Sequence, residues 1–291
     1  MSKAKKILTA VTALWLCLLL VVLTYAWVVR NWTPSIEQED LQINKAGALV
    51  ISLKGDDNHE TISLNKVVGI DSFIFKQVSS QNGQNFMWLD FIPTLDQKPA
   101  QYAKVTDAQK ENYIETQFAL KLDDTLTTDR YIFIHPESFL SDTTDVHVSD
   151  AIRIALDYTV TETDGSETNH VYILGNTPEG QDVDYSTSAV LPDADGKEQD
   201  DPTAVSQQKV YSLQYFNGGR TAAFDSANPG NPENYNFTPD PNRMLFTLKP
   251  GELKWITLRI WLEGADEYCV NEIAGQYFDM NLKFDSISVP Q

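Results

Sequence analysis

Among its 291 residues this chain has two cysteines, four histidines and 22 basic side chains against 41 acidic ones. Each shortage excludes something. Cys17 sits inside a long apolar run, so on export Cys269 has no partner in its own chain and an intramolecular disulfide is ruled out by topology. A secreted domain of this size must then rely on its core, with Cys269 read as a small buried hydrophobe. The histidines His59, His135, His147 and His170 form no HExxH pair: His59-Glu60 is followed by Thr61-Ile62-Ser63, which lacks the second zinc ligand. There is no GxSxG elbow, no phosphate-binding glycine loop and no exported cysteine beside a histidine. The sequence therefore offers no catalytic residue, and the expectation is a protein without catalysis. The shortage of Lys and Arg removes nucleic acid as a partner, because an acidic surface repels phosphate backbones.

What is present starts at the N-terminus. Ile7 to Val29 is apolar and uncharged, broken only by Thr9, Thr12 and Thr24. As a helix it would rise about 34 Å at roughly 1.5 Å per residue, enough for a bilayer core of about 30 Å. Lys3, Lys5 and Lys6 precede it and hold the N-terminus inside, so the C-terminal side is exported. Two fates are open. The run stays as a single-pass anchor, with the membrane as partner through residues 7–29, or it is cut after Ala26, where Thr24-Tyr25-Ala26 precedes Trp27. The expected location is the outer side of the cell membrane, or the medium after cleavage. With those three lysines removed, 19 basic and 41 acidic side chains remain, a net of −22 for the exported part.

That part reads as strands. Ile114, Thr116, Phe118, Leu120 and Leu122 alternate with polar neighbours, as do Ile152, Ile154, Leu156, Tyr158 and Val160. Ile256 to Leu262 and Phe278 to Phe284 repeat the pattern. Period-two alternation marks sheets buried on one side. Asn82-Gly83 marks a turn, and Asp266 to Ala274 is the one helical stretch expected after the leader. The expected fold is all-β: an antiparallel β-sandwich or jelly-roll-like ectodomain with long loops, preceded by one N-terminal transmembrane or signal helix. The organisation is a leader over 1–30, an exposed stalk or donor segment over 31–46, and the ectodomain over 47–291. Residues 176–206, acidic, and 217–242, rich in Asn, Pro and Gly, read as surface excursions of one domain.

Calcium is the one cofactor the acidic loops suggest. Asp193-Ala194-Asp195-Gly196 resembles part of an EF-hand, but with Gly196 at the sixth position Leu191 and Pro202 fall where ligands belong. Asp123-Asp124, Asp142/Asp145 and Asp200-Asp201 remain as loop oxygens, and no cofactor is expected. Trp255 and Trp261, opposite the apolar stripe of their strand, are the candidate ligand-face aromatics, with Tyr235 and Phe237 as loop aromatics.

Several stretches share one likeness. Thr24-Tyr25-Ala26-Trp27 closes the leader. Phe75 to Phe86 contains Val78-Ser79-Ser80 and Asn82-Gly83. Ala151-Ile152-Arg153-Ile154-Ala155 forms a central strand. Pro250-Gly251-Glu252, Leu258 to Gly264 (LRIWLEG), Cys269 and Asn271 close the chain. Together these resemble the TasA/camelysin-like surface proteins of Gram-positive bacteria. The resemblance implies an exported jelly-roll-like β-sandwich, in some members a subunit of biofilm matrix fibres. Camelysin itself is classed as a metallopeptidase, and no zinc motif here receives that activity. Three functions follow as expectations. The first is an exported surface or matrix structural and interaction protein that self-associates by strand donation from Trp27 to Ile43. The second is a glycan- or peptide-binding module. The third is a metal-dependent hydrolase.

Overall fold

The computed structural model describes residues 35–45, 48–53, 58–59, 61–63, 74–90, 101–105, 112–142, 147–161, 164–186, 208–219, 239–266, 268–269 and 276–289. The apolar leader and its boundary at Ala26 and Trp27 lie outside them. Among the described residues no helix is long and apolar enough to cross a membrane.

The described chain is all-β. Its strands are β1 (Ser35–Lys45), β2 (Leu49–Leu53), β3 (Asn58–His59), β4 (Thr61–Ser63), β5 (Ile74–Val78) and β6 (Met87–Asp90). There follow β7 (Gln101–Lys104), β8 (Ile114–Leu122), β9 (Arg130–Ile134), β10 (Phe139–Asp142), β11 (Ile152–Thr161) and β12 (Glu167–Gly175). The last are β13 (Val183–Ser186), β14 (Gln208–Ser212), β15 (Phe246–Leu248), β16 (Leu253–Glu263) and β17 (Tyr277–Ser288). Single 3-10 turns occur at Ser149–Ala151 and Pro241–Arg243, the second capped by Asp240, whose carboxylate accepts from Asn242 N. The helical stretch expected from Asp266 lies mostly outside the described residues.

The strands run in the order β13-β14-β12-β11-β16-β5-β1-β17-β9-β15, and β8 pairs with both β16 and β2. β5 is the joint. Its first residues pair with β1 and its last two, Gln77 and Val78, with Leu262 and Glu263 of β16. On one side of the joint β8, β11 and β16 supply Phe118, Leu120, Ile154, Leu156, Leu258 and Ile260. On the other, β1, β9 and β17 supply Ile43, Ile132, Ile134, Met280, Leu282 and Phe284, and both sets belong to one hydrophobic cluster. Phe118 and Phe284 meet across it with ring centroids 5.5 Å apart. Each such aliphatic or aromatic side chain withdrawn from water contributes about 1.5–3 kcal/mol.

One expectation is corrected. The pairing is mixed: β1 with β17, β12 with β14 and β16 with β5 are parallel. Alternation reports which face is buried and carries no information on strand direction. Residues 35–45, within the segment expected over 31–46 as an exposed stalk or donor, form β1 between β17 on one side and β4 and β5 on the other, with Ile43 fully buried.

Candidate functional site

Alternation sends Arg153, Ala155 and Asp157 of β11 and Thr257, Arg259, Trp261 and Glu263 of β16 to the face away from the main cluster. Register then sets Arg153 beside Trp261 and Ala155 beside Arg259. A sheet buried on one side would leave these in water. Instead Ala155 and Trp261 are fully buried and Arg153 is 2 % exposed. Val78, Phe86, Tyr113, Ile173 and Val210 complete a second apolar cluster with them.

The cover is the segment between β5 and β6. A bridge between Ser79 and Met87 closes its neck, with N–O distances of 2.6 and 2.8 Å. Asn82 Oδ1 accepts from Gln84 N (3.0 Å) and Asn85 N (2.9 Å), an Asx turn that bends the tip. Ser80 Oγ accepts from Gly83 N and donates to Asn85 O. Gly83 has φ +70°, and a Cβ there would lie 2.9 Å from Ala155 Cβ. The backbone of the tip thus rests on the sheet at the one outward position of β11 whose side chain is no larger than a methyl. Phe86 stacks on Tyr113 (centroids 4.1 Å apart) and meets the Trp261 ring edge-on at 5.2 Å.

A polar network anchors the cover. Glu263 is fully buried. Its Oε2 accepts from Trp261 Nε1 (2.9 Å), Gln208 Nε2 (3.0 Å) and Ser80 N (3.3 Å), and its Oε1 from Ala265 N (3.2 Å). Gln208, also fully buried, donates to Ser80 O and accepts from Arg153 Nε at 3.1 Å. Arg153 pairs with Asp266 and donates to the carbonyls of Asp150 and Ile152. Such a network stabilises a fold only when its members are satisfied, and these are tied together from four separate parts of the chain. Beside it Gln77 Nε2 donates to Cys269 Sγ at 3.1 Å. Burial pushes the Cys269 thiol up to about 12, against the pull of that hydrogen bond. At the outer rim Arg259 pairs with Glu115 (2.6 Å) and Asp157 (2.8 Å), and its Nη1 reaches Gly83 O.

The groups gathered here face one another across hydrogen bonds, so the arrangement clasps the cover to the sheet. Trp261, expected on a ligand-binding face, is instead sealed beneath the cover and serves as a donor to Glu263. Trp255, on the same face of the same strand, is 43 % exposed. The clasp residues Ser80, Arg153, Gln208, Glu263 and Asp266 were not singled out as a site by sequence reasoning. The available signal was an apolar Ala155 and Trp261 on a nominally polar face.

The other expected residues lie apart. Asp123 is spent on its own turn, its Oδ1 accepting from Thr125 N and Oγ1, while Asp124 pairs with Lys121. Asp142 Oδ1 accepts from Ser149 N. Asp145, Asp193, Asp195, Asp200 and Asp201 are outside the described residues, as are Tyr235 and Phe237. His135 Nδ1 accepts from Glu137 N, His147 lies 3.3 Å from Asp150, and His170 stacks against both Tyr158 and Tyr172. Among the described residues no group of three His, Cys, Asp or Glu side chains is placed to hold a metal ion. Comparison with protein-family models, curated proteins and solved structures gives no match for this chain.

Proposed function

We propose that this protein is an exported structural and interaction protein of the surface or extracellular matrix of a Gram-positive bacterium, related to the TasA/camelysin-like group and acting without catalysis. In this reading residues 7–29 export the chain and either hold it in the membrane or are removed after Ala26. The body is a jelly-roll-like β-sandwich whose subunits associate by strand donation.

The observation that supports this reading best is where the resembling motifs fall. Phe75 to Phe86, Ala151 to Ala155 and Leu258 to Gly264 are far apart in the chain, and they supply the cover, Arg153 and the Trp261–Glu263 pair of one clasp. Gln77 reaches Cys269 beside it. Residue types shared for such a reason serve folding of the body, as a structural subunit requires.

The position of β1 supports the assembly mechanism. It begins shortly after the expected cut and lies beside the last strand, in parallel with β17. The equivalent strand of a neighbouring copy would find the same main-chain partners there, so exchange would link subunits without new chemistry. The test is capping. A synthetic peptide of residues 27–45, added in excess to chain truncated after Ala26, should shorten the polymers seen by electron microscopy. Polymers of unchanged length would overturn strand donation. N-terminal sequencing of the mature protein decides between the held and the cut form.

A further inference from the structure

We propose that the open part of the outer sheet face around Trp255 is a binding strip for a neutral carbohydrate chain. This goes beyond the structural reading above and does not depend on it. Trp261 and Trp255 share one face of β16. The clasped segment seals the first and stops short of the second, which keeps 43 % of its surface in water next to Leu253 at 42 %. Ala119 of β8 is the residue opposite Trp255 and is itself fully buried, so the exposed part of the indole is the part turned away from the sheet. One step along, Gln117 Nε2 donates to Thr257 Oγ1 at 3.1 Å. On the β11 side Thr159 and Asn169 are paired and exposed, with Lys254 Nζ fixed on Thr159 O. An indole ring is thus flanked by amide and hydroxyl side chains that both donate and accept, as sugar hydroxyls do, while the apolar C–H face of a pyranose suits the ring.

Charge and backbone select the occupant. At the upper end of the strip Glu115 and Asp157 share the single Arg259, which leaves that end net negative, and at the lower end Lys121 is paired with Asp124. Among the described residues the cations of the strip each have a carboxylate partner, Lys254 with Glu252 at 3.8 Å, so none is left for an anionic polymer, and a second copy would bring its own net negative charge. The main-chain groups of β8 and β11 are taken up by β16 between them, so an extended peptide finds no sheet edge here. From Trp255 to Arg259 the strip runs four residues, about 13 Å at roughly 3.3 Å per residue, the length of a short oligosaccharide.

The test uses the full chain in mild detergent, with calorimetry and tryptophan fluorescence, and as probes cellohexaose, chitohexaose and an anionic hyaluronan hexamer. Saturable binding of a neutral hexamer is expected. Trp255→Ala should weaken it at least about tenfold and Trp255→Phe only a few-fold, with unchanged circular dichroism and denaturation midpoint in both. Failure of both neutral hexamers to saturate in the millimolar range overturns the proposal, as does undiminished binding by Trp255→Ala. Self-association of the chain that Trp255→Ala abolishes, without sugar binding, would assign the face to a second copy and overturn it equally.

Discussion

The indole nitrogen of Trp261 donates to the carboxylate of Glu263 two residues further along the same strand, at 2.9 Å, and both side chains are fully buried on the outer face of the sheet. Neighbours i and i+2 on a strand point the same way, so this contact costs no backbone distortion. It converts a face that would otherwise be wet into a second interior. Removing the carboxylate leaves the donors Trp261 Nε1, Gln208 Nε2, Ser80 N and Ala265 N short of their acceptor. Glu263→Ala should therefore destabilise the protein by about 3 kcal/mol or more, and Glu263→Gln, which keeps one carbonyl acceptor, by less. The check is the midpoint of urea unfolding at constant slope. An alanine variant within about 0.5 kcal/mol of the parent would deny the clasp its anchoring role.

Much of the main interior was legible in the chain. The stripes Ile152-Ile154-Leu156-Tyr158, Ile256-Leu258-Ile260-Leu262 and Phe278-Met280-Leu282-Phe284 all lie in the main cluster. The second interior was hidden because the same rule labels Arg153, Ala155, Trp261 and Glu263 as outward. Only the cover, contributed from residues about 70 to 180 positions away in sequence, changes that label. A methyl at Ala155 beside a charged Arg153 was the visible hint. The parallel pairing of β1 with β17 had no local signal, since it joins strands more than 200 residues apart in sequence.

The tip of the cover depends on Gly83. Gly165 also has a positive φ, +83°, but a Cβ there would meet nothing within 4 Å. Both Gly83→Ala and Gly165→Ala incur the backbone cost of a left-handed residue, about 1 kcal/mol. Only Gly83→Ala adds a collision with Ala155. The expected outcome is a clearly larger loss of stability at Gly83, with faster amide exchange confined to residues 79–88. Equal losses at the two glycines would mean that the tip does not press on the sheet.

The rim has a pH signature. Burial alone would raise the Asp157 carboxyl, but hydrogen bonds from Arg259, Gln84 and Asn169 outweigh it and hold the group below the ordinary carboxylate range. A carboxylate depressed by folding stabilises the native state above its unfolded value, near 3.9, and that contribution is lost as pH falls through the lower native value. Asp157→Asn should lower stability at neutral pH and flatten its decline below about pH 4. Parallel acid branches for parent and variant in a pH series of denaturation midpoints would refute the assignment.

Cys269 offers a direct reading of how tightly the clasp is shut. The thiolate is the reacting form, and with the thiol pushed up to about 12 by burial very little of it is present at pH 8. In the native protein iodoacetamide should label Cys269 at least about a hundredfold more slowly than a peptide thiol of pKa about 8.5, with full labelling restored in denaturant. Peptide mapping by mass spectrometry separates it from Cys17. Glu263→Ala should accelerate native labelling, because Cys269 borders the network that Glu263 holds and becomes reachable as that network opens. The same reasoning bears on assembly. A disulfide between copies through Cys269 requires the thiol to leave its place beside Gln77, so native subunits linked by strand exchange should remain separable without reductant. Rapid labelling of the intact protein would show instead that the clasp opens freely in solution, and a fibre built on this body would then carry an accessible cross-linking thiol.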